Sequence, residues 1–259
     1  MTHTDTDIWA QCQGEQHIRS IEGRLWRLVE SQEQVATLNY VDSLDEQAVL
    51  EDLLESAKPP APYQFHPVTN EPLHYLLKTP FRYPPLKWGS RFGQQHEPSL
   101  FYGGCSVEAT LTESAYYRLV FLHAMPLPGP SDRLTTEHTL FSVSYRTTTG
   151  VYLQQVPFDQ FQAMLTHPSD YRASQHTGSS MRAAGVEAFE YLSARSATPL
   201  TCVALFTPRP FADSSPESME RWLCEVSRDK VTFKAVGNHN TVHFPLTSFL
   251  VDGTLPKPA

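Results

Sequence analysis

From residue 63 onward, short β-rich segments alternate irregularly with helical ones, and this irregular alternation narrows the fold more than any other feature of the chain. Candidate strands are LHYLLK (73–78), SLFY (99–102), TLFSVSYR (139–146), EAFEYL (187–192), TCVALF (201–206) and KVTFKAV (230–236). Each is rich in aromatic or β-branched side chains, which suit a pleated, half-buried surface. Helical patterns fit 109–122, 158–165, 171–184 and 216–226. With 21 prolines to fill the loops, the pattern predicts an α+β domain built around a mixed or antiparallel sheet with flanking helices.

The N-terminal fifth reads differently. Ile18, Ile21, Leu25, Leu28 and Val29 recur at helical spacing with Trp26 alongside, and a second helix opens with a capping box, Ser43 before Glu46, then runs through Val49, Leu53 and Leu54. Together they predict an acidic amphipathic helical extension over 1–62, ending in the linker KPPAP (58–62), ahead of a main domain over 63–259. Packing of its apolar stripe on the main domain is the first expectation for this extension. Self-association into a homodimer, partner docking and a lid remain open.

Charge follows the same division. Residues 1–57 carry twelve acidic side chains against three arginines, so the net charge of −8 resides in this stretch. Such a surface repels phosphate backbones, which argues against direct nucleic-acid binding. The four cysteines, at 12, 105, 202 and 224, are too scattered for a metal knuckle, and free thiols with no metal are expected. Asp5 and Asp7 argue against a secretory leader, and no apolar run approaches the roughly 18 residues of a membrane span. The expectation is a soluble, cytoplasmic protein with no membrane partner.

Arg91, Tyr102 and Glu113 stand at equal steps of eleven in GSRFG, SLFYGG and TLTESAYYRL, and Ser193 follows in EYLSAR. Taken singly, each has an ordinary reading. Glu113 after Thr110 makes a capping box, Arg91 an ion-pair former, Tyr102 a strand aromatic facing the core, and Ser193 a strand-end hydroxyl. Ser193 lacks the GxSxG setting of a nucleophile. Taken jointly, they suit the cleavage of a glycosidic bond to a cationic heterocycle. A carboxylate, Glu113, stabilises an oxocarbenium-like centre. Arg91 offers planar donors to an anionic group, Tyr102 a ring to pack on a flat heterocycle, and Ser193 a hydroxyl for a sugar or for the carboxylate.

This arrangement, with the flanking text TPFRYPPLKWGSRFG and AAGVEAFEYLSARS, resembles the RES-domain family over roughly Leu73 to Val236. The resemblance implies an ADP-ribosyltransferase-like split mixed sheet gripping NAD in a cleft. It implies catalytic roles for Arg91, Tyr102, Glu113 and Ser193, with Glu113 at a helix start. Arg82 or Lys78 is implied as an earlier substrate-binding arginine's counterpart, and Arg195 as a weaker substrate contact. The implied activity is a growth-arresting toxin that cleaves NAD, as an NAD phosphorylase or glycohydrolase, with ADP-ribosyl transfer to a macromolecule as an alternative. NAD is then the consumed substrate, inorganic phosphate an optional co-substrate, and no separate cofactor is needed. The implied partner is a helix-turn-helix antitoxin. A noncatalytic nucleotide-binding module is the rival class, and it would not depend on Glu113.

Overall fold

The computed structural model describes residues 7–31, 40–125 and 133–257. Residues 1–6 and 32–39 of the expected extension, Asp5 among them, lie outside the described residues. After a short helix α1 (Ile8–Gln11) and a 3-10 turn (Gly14–His17), the chain enters strand β1 (Arg19–Glu30). Helices α2 (Leu44–Ser56) and α3 (Tyr75–Arg82) precede β2 (Phe101–Gly104), α4 (Val107–Ala124) and the long β3 (Arg133–Tyr152). Then come a 3-10 turn (Phe158–Phe161), α5 (Gln162–Leu165), α6 (Arg172–Ala183), β4 (Ala188–Leu192) and β5 (Thr201–Leu205). β6 (Ser218–Ser227), β7 (Lys230–Ala235), β8 (Val242–Pro245) and a last 3-10 turn (Leu246–Phe249) complete the chain.

The strands form one mixed sheet in the order β1-β2-β5-β4-β3-β6-β7-β8. All pairings are antiparallel except β3 with β4. β1 also pairs with β3 from Arg19↔Gly150 to Glu30↔His138, so β1, β2, β5, β4 and β3 close a circuit. The closing link between β1 and β2 is a single pair, Trp26↔Gly104. On its other edge β3 pairs first with β6, through 133–142, and then with β4, through 150–152. The α+β class with a mixed sheet and flanking helices is the one the sequence implied.

Three apolar clusters hold helices to this sheet. Leu73, Leu76, Leu77 and Phe81 from the α3 region pack with Ile21, Leu25, Phe101 and Phe141. Leu111, Tyr116 and Leu119 of α4 pack with Cys224, Val226 and Phe233. Met181 of α6 joins Phe92, Phe189 and Tyr191. The side chains that anchor α4 leave its opposite face free to look into the sheet's mouth.

Three local expectations are overturned. Residues 19–30 are a strand, not the first helix of an extension, and this strand belongs to the same sheet as the strands after residue 62. Ile21 and Leu25 are both fully buried, and a spacing of four places two residues on one face of a strand as well as of a helix, so only the partner strand decides. LHYLLK is not a strand, because Leu73, Leu76, Leu77 and Phe81 bury at helical spacing and the His74 side chain caps Leu76 N–H. Residues 216–226 are not a helix, because Cys224 and Val226 bury alternately between β3 and β7. The helix at Ser43 forms as expected, with the Ser43 hydroxyl accepting from Glu46 N–H at 3.2 Å. Its Leu44, Val49 and Leu53 are exposed rather than packed on the domain.

α6 crosses the segment 90–93 at very close range. A Cβ at Gly178 would stand 1.9 Å from the Phe92 carbonyl oxygen. Gly178→Ala is therefore expected to cost about 1–3 kcal/mol through overpacking, outweighing the gain in helix propensity. Thermal unfolding checks this, and an unchanged midpoint would show that α6 does not rest on this backbone.

Candidate active site

A cavity of about 580 Å³ opens between β1, β2 and α4. The sequence order explains who lines it. β2 runs directly into α4 through Ser106, whose hydroxyl accepts from Ala109 N–H at 3.0 Å and so starts the helix there. Gly104 lets the helix approach, because a Cβ on it would lie 2.6 Å from Thr110 Oγ1. Thr110 is consequently not a capping residue. Its hydroxyl donates to Trp26 O at 3.0 Å and Ser106 O at 2.9 Å, tying α4 to β1. Glu113 thus lies in the second turn of α4 rather than at its start, and Glu113, Ser114, Tyr117, Arg118 and Phe121 present one helix face to the cavity.

Glu113 is half-buried, with its carboxylate held from behind. Ser193 Oγ donates to Glu113 Oε1 at 2.5 Å and accepts from Arg195 N–H at 3.0 Å. Of the two roles open to Ser193, it takes that of orienting the carboxylate. It is buried and does not line the cavity, so it acts through Glu113.

Arg91 is buried and lines the same cavity. Its Nη1 donates to Leu165 O at 3.2 Å and His167 O at 3.0 Å, and its guanidinium lies 4.4 Å over the Tyr171 ring. Its buried Nη2 has no hydrogen-bond partner. A buried, unpartnered guanidinium N–H beside a cavity is suited to an anionic ligand, since leaving it unpaired is costly. Tyr102 also lines the cavity, with its hydroxyl at 2.8 Å from Ser90 Oγ and accepting from Phe92 N–H at 3.1 Å. Burial pushes that hydroxyl up to about 12, so Tyr102 stays protonated at neutral pH and offers the cavity a ring rather than a base.

The remaining expected contacts fall elsewhere. Arg82 and Lys78 are on α3, not on a strand or in a loop, and neither lines the cavity. Arg82 binds Glu55 at 2.7 Å and also Pro59 O, while Lys78 donates to Gln64 Oε1 at 3.1 Å. Arg195 is buried and consumed structurally, donating to Pro168 O at 2.7 Å and Tyr171 Oη at 2.6 Å with its guanidinium 3.6 Å over the Tyr116 ring. The second carboxylate lining the cavity is Glu30.

What the sequence reading missed is Arg27. It stands on β1, donates to Tyr102 O at 2.5 Å, and lies 4.9 Å over the Phe101 ring. Its Nε is buried without a partner, and desolvation lowers its pKa to about 10, which still leaves it charged at neutral pH. Reading 18–29 as a helix hid the signal, since a strand would have put Arg27 on the face opposite Trp26. Also unforeseen is a cluster at the far end, where Arg118 Nη2 meets Glu30 Oε2 at 3.1 Å and His138 Nε2 at 3.2 Å. Among the described residues no group of His, Cys, Asp and Glu could hold a metal ion, and no helix is long and apolar enough to cross a membrane. The four cysteines are free.

His138 carries a pH consequence. Burial, and then the Arg118 charge, push its imidazole from 6.5 down to about 4, so it is neutral when folded and gains a proton on unfolding between those values. Its stabilising contribution is complete above pH 6.5 and is lost as pH falls through about 4. His138→Gln is expected to flatten this part of the stability profile, read from denaturant midpoints across that range; an unaltered slope would exclude His138 as its source.

No curated protein matches the chain by sequence. Among solved structures, the M. tuberculosis MbcT–MbcA toxin–antitoxin complex is similar, at 8% identity and a TM-score of 0.47, covering 87% of this chain and 95% of that one. Residues 65–227 match the RES domain, a stretch that takes in Arg91, Tyr102, Glu113 and Ser193 but excludes Arg27. The match covers well over half of the sequence, and the chain belongs to the RES-domain family.

Proposed function

We propose that the protein cleaves the nicotinamide–ribose bond of NAD and acts as a growth-arresting toxin. The observation that carries this reading is a single acid, Glu113, fixed by the Ser193 hydroxyl at 2.5 Å and facing the same cavity as Arg91, Arg27 and Tyr102. Breaking the C1′–N bond sends its electron pair to the pyridinium nitrogen and leaves positive charge on the ribose. Glu113 stabilises that charge, and Arg91 and Arg27 hold the pyrophosphate. Tyr102 packs on the departing heterocycle.

Glu30, the other carboxylate on the wall, is neutralised by Arg118. That leaves Glu113 as the acid available to the reaction. The acceptor completes the reaction as inorganic phosphate, giving ADP-ribose 1″-phosphate, or as water, giving ADP-ribose. Phosphorolysis ranks first by analogy with the RES-domain family alone. RES-domain membership supports the toxin role and, with it, an antitoxin partner of helix-turn-helix type.

Incubation of the purified protein with NAD, with and without phosphate, and mass analysis of the products tests this directly. The wild type is expected to release nicotinamide, and Glu113→Gln to lower kcat by about 10²–10³-fold while still binding NAD. Ser193→Ala is expected to lower kcat about tenfold or more with little change in KM, because a hydrogen bond to a charged group is lost. Binding without turnover by the wild type would assign the chain to a noncatalytic module instead. In cells, expression is expected to deplete NAD and arrest growth; arrest with NAD intact would redirect the reading to ADP-ribosylation of a macromolecule.

A further inference from the structure

A second cavity, of about 380 Å³, adjoins the first and shares Arg27, Glu30, Ser90 and Tyr102 with it. Its other walls come from α3 and the loop that follows, chiefly Tyr75, Leu76, Tyr83, Leu86 and Leu100. Among the described residues its charged side chains are Arg27 and Glu30, both on the shared wall. Tyr75 and Tyr83 remain 45% and 42% exposed, so each leaves ring surface for a ligand to cover. Pro80, Pro84 and Pro85 restrict the backbone around them.

We infer that this second cavity receives the purine end of the dinucleotide, an assignment that rests on the reading of NAD as substrate. The orientation follows from chemistry. Bond cleavage requires Glu113, which lines only the first cavity, so the nicotinamide riboside end belongs there. The pyrophosphate then crosses the shared wall at Arg27, whose unpartnered Nε is buried there. What remains of the ligand is an adenosine, whose neutral flat ring suits a pocket of aromatic, aliphatic and proline side chains. Two hydroxyls add polar handles: Ser99 Oγ donates to Tyr83 O at 2.7 Å and Thr79 Oγ1 to Tyr75 O at 2.6 Å, leaving lone pairs to accept from a purine amino group. α3 and its loop therefore determine which nucleotide is accepted, although they carry no reacting group.

Steady-state cleavage of NAD and of nicotinamide mononucleotide, which has the same scissile bond and no purine, tests the assignment. The wild type is expected to favour NAD in kcat/KM by at least about tenfold, the scale of one base–aromatic stack. Tyr83→Ser and Leu86→Asp, both at exposed loop positions, are expected to raise KM for NAD about tenfold, hold kcat, and leave both constants for the mononucleotide unchanged. Equal kcat/KM for the two substrates, or a variant that impairs both alike, would overturn the inference. Calorimetric titration with ADP decides it independently of turnover. Binding by the wild type that weakens about tenfold in Tyr83→Ser supports the cavity assignment even if neither substrate is cleaved, a result that would refute only the NAD-cleaving reading. Absence of ADP binding would overturn the assignment itself.

Discussion

The antiparallel pairing of β1 with β3, from Arg19↔Gly150 to Glu30↔His138, is the constraint on which the rest of the structure depends. It turns a stretch before the family-matched residues into a wall of the site. Ile21 and Leu25 bury against the α3 cluster, which fixes the face of β1, and that face determines where Arg27 and Trp26 sit. A slip of one residue would turn Ile21, Leu25 and Arg27 together to the opposite face of the strand. The Thr110 bond to Trp26 O then ties α4 to this strand, so the acid and the strand arginine are positioned by the same frame.

Around that frame the site divides its labour by burial. Groups that cannot leave their places hold those that meet a ligand. Ser193 fixes Glu113, Leu165 and His167 carbonyls hold one nitrogen of Arg91, and Ser90 with Phe92 N–H fixes the Tyr102 hydroxyl. Each held group keeps something back for the cavity: a second carboxylate oxygen, an unpartnered guanidinium nitrogen, a ring face. For the proposed reaction, such a site needs little reorganisation as charge develops, which is the main source of electrostatic catalysis. Arg195 illustrates the converse. Its position two residues after Ser193 made it look like a ligand contact, yet its donors are spent on Pro168 and Tyr171, and it supports the fold.

The two cavities meeting at Arg27 also give the molecule a polarity. The end with the acid carries the charged residues, and the end built by α3 and its loop is apolar. A cation at the junction with different walls on either side suits a ligand whose charge is central and whose ends differ. The helix α2 lines neither cavity, and its Glu55 binds Arg82. The Glu55 carboxylate is held down at about 2 by its hydrogen bonds to Lys58 and Arg82, so the tie persists at neutral pH.

The sequence by itself determined the α+β class, the cap at Ser43 and most of the strands and helices from α4 onward, and it brought forward Arg91, Tyr102 and Glu113, which line one cavity, with Ser193, which bonds Glu113. These are legible because each rests on local chemistry: residue types, spacing and short motifs that constrain their own neighbourhood. Tertiary structure alone decided β1, β6 and the helix α3. Ile21 and Leu25 fit either period, the charged run 217–225 imitates a helix until β3 and β7 flank it, and LHYLLK has strand-like composition but buries at helical spacing. With β1 unread, Arg27 was invisible and Arg82 stood in its place. The physical reason is that a strand's identity lies in hydrogen bonds to residues more than a hundred positions away, as Arg27 pairs with Phe141, and no local pattern encodes such a partner.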